Sequence, residues 1–107
     1  MSYRKGANFE RKVRDKLKDM GAFVVRSAGS KGVFDLIAIF EDGRVWGVQC
    51  KMSFRISNEE IRKMVEIGEK YPIEPMLATK LDRKIVFIDV REIEKYKYQK
   101  VRNSNRW

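Results

Sequence analysis

A chain of 107 residues suits one domain around one hydrophobic core, and 36% charged against 43% hydrophobic residues is the balance of a water-facing globular protein. Its 24 Lys and Arg against 15 Asp and Glu leave a formal charge of +9, which favours a polyanionic partner, nucleic acid first. A single cysteine, Cys50, and no histidine exclude an internal disulfide, the usual zinc sites and histidine acid–base catalysis, so any metal is a hard one held by oxygen.

No apolar run reaches the ~20 residues that cross a bilayer, and the first residues carry no apolar signal segment. A soluble, intracellular protein without membrane contact is expected. In chain order, residues 2–20 read as a helix, with Phe9, Val13, Leu17 and Met20 on one face and Gly21 as its C-terminal stop. Glu10 sits at the edge of that stripe. It stands four residues before Arg14, the spacing of an ordinary surface pair, and it can equally point along a sheet. Arg4, Lys5, Arg11 and Lys12 bring positive charge to the same end.

Residues 22–27 read as a strand from their β-branched and aromatic content, and the small-residue loop from Ser27 through Ser30 and Lys31 to Gly32 follows. Such a loop is either a plain connection or a place where backbone N–H groups and hydroxyls approach a phosphate. Residues 33–40 form an apolar strand interrupted once, by Asp35. The turn at Glu41, Asp42 and Gly43 leads to a second strand, 45–52. A two-residue period puts Val45, Gly47, Gln49 and Lys51 on one face of that strand, with Trp46, Val48, Cys50 and Met52 on the other. One face is expected to be core and the other to present Gln49 and Lys51. Burying an ionised carboxylate in an apolar strand costs several kcal/mol unless a cation, a metal or hydrogen bonds replace the water, so Asp35 needs a partner. Lys51 alone can be that partner, or the hairpin can gather Asp35, Gln49 and Lys51 into a site.

A capping box, Ser57 with Glu60, opens a second helix whose Ile61, Met64, Val65 and Gly68 form one stripe before Tyr71 and Pro72 end it. Strands at 74–81 and 84–90 flank a turn at Asp82 and Arg83. The pattern is α/β: a single domain with a central mixed five-stranded sheet flanked by helices, in the order α-β-β-β-α-β-β. Residues 1–94 make up this domain, and 95–107 form a basic, aromatic tail suited to phosphates or bases.

The residues Tyr3-Arg4-Lys5-Gly6-Ala7 with Glu10, the stretch from Arg26 to Gly32 running into Asp35-Leu36-Ile37-Ala38, and Gln49-Cys50-Lys51 resemble the archaeal-type Holliday junction resolvases over most of the chain. That family belongs to the PD-(D/E)XK, restriction-endonuclease-like nucleases, marked by one acid followed at a distance by acid-x-Lys. The resemblance implies a DNA-binding homodimer that cleaves four-way DNA junctions in recombination and repair. It also implies magnesium as cofactor, with manganese as substitute, and a cytoplasmic place in an archaeal or bacterial cell, or in the host of a virus. By the same resemblance Glu10, Asp35, Gln49, Lys51 and Ser30 are catalytic. Glu10, Asp35, Gln49 and the main-chain carbonyl of Cys50 hold the metal. Arg4, Lys5, Arg11, Arg26, Ser27, Lys31 and Arg55 are the expected DNA contacts.

One position departs from the pattern. Gln49 stands where the resolvases usually carry a glutamate, so one negative charge is lost although an amide oxygen can still bind a hard cation. Two alternatives follow: a PD-(D/E)XK endonuclease with another DNA target, and a junction-binding protein that does not cleave. A dimer is expected to use Ile61, Met64, Val65 and Gly68, with Ile73, Met76 and Phe87.

Overall fold

The computed structural model describes residues 2–27 and 32–95, with side chains from residue 6 onward. The first element, α1 (Ser2–Asp19), buries Phe9, Val13 and Leu17, and Met20 is exposed because the chain has already turned away. Gly21 adopts φ +93, its N–H donates to the Lys18 carbonyl, and the Ala22 N–H donates to the Leu17 carbonyl. This pair of bonds is a Schellman ending, which favours glycine because other residues rarely hold that backbone angle.

Five strands follow: β1 (Phe23–Arg26), β2 (Leu36–Ile39), β3 (Val45–Cys50), β4 (Glu74–Leu81) and β5 (Lys84–Asp89), with α2 (Asn58–Lys70) between β3 and β4. They form one sheet in sequence order. All neighbours are antiparallel except β3 and β4, which are parallel and therefore joined by the crossover helix α2. The expected fold class and element order hold. Asp82 and Arg83 at φ 53 and 67 make the two-residue hairpin between β4 and β5, and Gly43 at φ 94, its N–H donating to the Phe40 carbonyl, closes the turn between β2 and β3. Residues 90–95 are helical, with Val90 and Ile93 buried, while the rest of the expected tail lies outside the described residues.

Two cores sandwich the sheet. On one side α1 packs Phe9, Val13 and Leu17 on Leu36, Ala38, Phe40, Val48, Met76 and Ala78. On the other, Ile61, Met64 and Val65 of α2 meet Phe34, Leu77, Val90 and Ile93. Both faces are thus covered, which corrects the expectation that only one face of β3 is core. Gly47 shows why: a Cβ there would lie 2.5 Å from the Phe34 ring, so the strand carries no side chain where that ring crosses it. Phe34 can cross because the chain has not yet entered β2, which is shorter than the apolar run. α2 begins with the capping box as expected, with the Ser57 side chain and the Glu60 side chain each accepting from the other residue's backbone N–H. Gly68 lets α2 approach Pro75, whose Cδ would be 3.0 Å from an added Cβ.

Candidate active site

Asp35 sits where β1, β2 and β3 converge, and three hydrogen bonds hold it. Its N–H donates to the Val48 carbonyl at 2.8 Å, and its carbonyl accepts from the Ser27 N–H at 2.9 Å. Its carboxylate Oδ2 accepts from the Cys50 N–H at 2.8 Å. Burial pushes the Asp35 carboxyl above its usual range; the Cys50 hydrogen bond works against that, the Glu10 charge adds to it, and Lys51 and Arg26 draw it back. The Cys50 thiol is also pushed up, by burial first and then by Asp35 and Glu10. It stays protonated near neutral pH and is not a thiolate ligand.

Glu10 does not pair with Arg14. Its Oε1 accepts from Arg26 Nε at 2.9 Å, whereas Arg14 reaches Asp15. The burial of Phe9 turns the next residue of α1 toward the end of β1, and the sheet supplies a cation that the helix spacing could not announce. Lys51 likewise does not pair with Asp35: its Nζ lies 2.9 Å from Glu60 Oε2 at the start of α2. The bond that holds Asp35 comes from the backbone of the residue before Lys51. Gln49 is half-buried on β3, opposite Leu77 of β4.

Around this group the surface is basic. A pocket of about 360 Å³ is lined by Ala7, Glu10, Arg11, Arg14, Arg26 and Leu36. A second, of about 290 Å³, is lined by Asn8, Phe9, Lys12, Met52 and Lys80. Arg11 and Arg26 therefore share one cleft with Glu10. Arg55 is exposed between β3 and α2, and Ser27 is half-buried, its Oγ 2.9 Å from where a Cβ on Gly32 would lie. Ser30 and Lys31, and the side chains of Arg4 and Lys5, lie outside the described residues. Sequence reasoning placed neither Arg14 nor Lys80 in a cleft, and it marked Glu60 only as the cap of α2, not as the partner of Lys51. Arg14 was within reach, since it is three residues after Arg11 and shares its helix face. Lys80 and Glu60 carried no such signal, because only the parallel pairing of β3 with β4 and the packing of α2 bring them near.

The donor set fits a hard divalent ion. Among the described residues no three acidic, thiol or imidazole side chains converge, and an ion here would have to draw on Asp35 and Glu10 together with neutral oxygens such as the Gln49 amide, main-chain carbonyls and water. Lys51 and Arg26 draw the Asp35 carboxyl down without overcoming the burial that raises it.

Comparisons with known proteins give the family and the fold. The archaeal Holliday junction resolvase family model matches residues 1–106. The crossover junction endodeoxyribonuclease Hjc of Methanocaldococcus jannaschii is 43% identical over 91 residues, covering 81% of this chain and 67% of that protein. The structure of Hjc from Archaeoglobus fulgidus, a Holliday junction resolvase, superimposes with a TM-score of 0.66 at 24% identity, over 81% of this chain and 74% of that one. At that identity the likeness speaks for the fold. With nearly its whole length matched, the chain belongs to the archaeal Holliday junction resolvase family.

Proposed function

We propose that this chain is a structure-selective endonuclease that resolves four-way DNA junctions by hydrolysing phosphodiester bonds, with Mg2+ as its ion and Mn2+ as substitute. The observation that carries the reading is geometric: the half-buried Asp35 carboxylate is held by the Cys50 N–H, and Glu10, paired with Arg26, lines a cleft with Arg11 and Arg14. Anionic backbone is attracted by the basic rim of that cleft.

In this reading Asp35, Glu10, Gln49 and the Cys50 carbonyl hold the ion, which when bound polarises the phosphate and lowers the pKa of a water. Lys51 offers its ammonium to the phosphate oxygens as negative charge builds on them. Arg11, Arg14 and Arg26 take neighbouring phosphates and set the register of the strand, a contact that reads shape rather than bases. Ser30 and Lys31 belong to the same reading through the loop they share with Ser27. Arg26 binds Glu10 in the free protein, so its guanidinium is already aimed at the cleft.

Two scissile strands, against a single Asp35 with Glu10 in each chain, call for a two-fold homodimer. The interface lies elsewhere than on the α2 stripe, because Ile61, Met64 and Val65 are spent on the core. Phe23 is 71% exposed, and Val25 and Ile39 are exposed beside it. Phe23 pairs with Ile39 and Val25 with Ile37, so these four share one face of β1 and β2, and the half-buried Ile37 joins the stripe to the α2-side core. An apolar stripe of this kind suits a second copy of the chain. The chain works where DNA is handled in the cytoplasm, and no helix among the described residues is long and apolar enough to cross a membrane.

The test is incubation of purified protein with labelled four-way junction, duplex and flap DNA, in Mg2+, in Mn2+ and in EDTA. Symmetric cutting of the junction with a metal ion, and little of the duplex, is expected. Equal cutting of duplex would leave a nuclease of another target, and binding without cutting under either ion would leave a junction-binding protein.

A further inference from the structure

Lys51 poses a problem of aim. Its backbone is fixed, since its N–H donates to the Ala78 carbonyl at 2.9 Å, but four rotatable side-chain bonds separate that anchor from the ammonium. Asp35 does not hold it. The group that does is Glu60, whose two oxygens divide the work. Oε1 accepts from the Ser57 N–H at 3.2 Å and ties the carboxylate to the start of α2, while Oε2 lies 2.9 Å from Lys51 Nζ. The Glu60 N–H in turn donates to Ser57 Oγ at 3.1 Å. The carboxylate is thus oriented by the helix cap before it meets the lysine.

Stability does not explain the pair. The two side chains are 32% and 36% exposed, and ion pairs so open to water contribute only about 0–1 kcal/mol. What the pair does is restrict an otherwise mobile ammonium and leave its two other N–H donors for an incoming phosphate. Gln49, two residues before Lys51, carries no charge that could take over this hold.

We propose that Glu60 is a positioning residue: it aims Lys51 at the scissile phosphate from the capping box of α2. The proposal rests on the resolvase reading, and its test separates the two. Glu60→Gln keeps the cap, because glutamine serves in the same box, and removes only the charge that holds Lys51. Ser57→Ala does the reverse, weakening the cap while leaving the Lys51 contact in place. Single-turnover cleavage and junction affinity are measured for wild type and both variants, with a thermal melt of each. Glu60→Gln is expected to slow cleavage of bound junction about tenfold with affinity and melting temperature unchanged. Ser57→Ala is expected to melt lower and to cut at the wild-type rate while folded. An unchanged or faster rate in Glu60→Gln, or an equal loss in Ser57→Ala, overturns the assignment. A wild type that cuts no junction overturns the resolvase reading itself, and the Glu60 role falls with it.

Discussion

Replacing Gly47 by alanine tests the packing that sets Asp35 in place. The new methyl would lie 2.5 Å from Phe34 Cδ2 and Cε2 and 2.7 Å from Cζ. Carbon atoms pack at about 3.5–4.0 Å, so the ring has to withdraw by roughly 1 Å or leave. Withdrawal is not free, because Phe34 is buried and the next residue, Asp35, is bonded to Val48, Ser27 and Cys50. Overpacking costs about 1–3 kcal/mol, and loss of a buried phenyl costs about as much. Alanine in a strand returns roughly 0.5–1 kcal/mol over glycine, leaving a net loss of about 1 kcal/mol. For a domain of this size that lowers the melting temperature by about 6 °C. Melts followed by circular dichroism on Gly47→Ala, Phe34→Ala and the double variant decide it. In the Phe34→Ala background the added methyl fills vacated space and should cost nothing further. A Gly47→Ala protein that melts within about 2 °C of wild type would refute the argument.

Asp35→Asn is expected to abolish metal-dependent cleavage while junction binding persists, and substantial cutting by the variant would remove Asp35 from the site. In metal-free buffer the same change should raise the melting temperature at pH 7. Burial holds the folded Asp35 carboxyl above its ordinary range, so the folded state holds the proton more tightly, and wild-type stability is lost as pH rises from the ordinary carboxylate range through the raised value. Melts from acid to neutral pH should show that loss in wild type and a smaller one in the variant; identical profiles would deny the buried charge. Gln49→Glu should move half-maximal cleavage severalfold lower in Mg2+, whereas superimposable titrations would place position 49 away from the ion. Phe23→Asp should leave monomer stability within about 0.5 kcal/mol, since the side chain is exposed, yet give a monomer in sedimentation equilibrium at micromolar protein. A dimer that survives the change moves the interface off β1.

What could be read from the residues alone was whatever short-range forces govern. The Phe9, Val13 and Leu17 stripe, the glycine ending of α1, the Ser57 and Glu60 cap and the tight turn at Asp82 and Arg83 each depend on neighbours a few residues away, and each appears in the structure. The chemistry on offer was equally plain, because absent histidine and a lone cysteine leave only oxygen donors for a metal. The charge partners were not legible. Glu10 had a helical neighbour at suitable spacing and bound Arg26, sixteen residues on; Lys51 had Asp35 on the facing strand and bound Glu60. Exposed ion pairs differ by fractions of a kcal/mol, so propensity cannot choose among them, and the choice falls to where packing carries each backbone. The same holds for apolar surface: hydrophobic period marks Ile61, Met64 and Val65 and also Phe23 and Val25, but only the docking of α2 against Phe34 and Leu77 decides that the first set is core and the second is left on the outside.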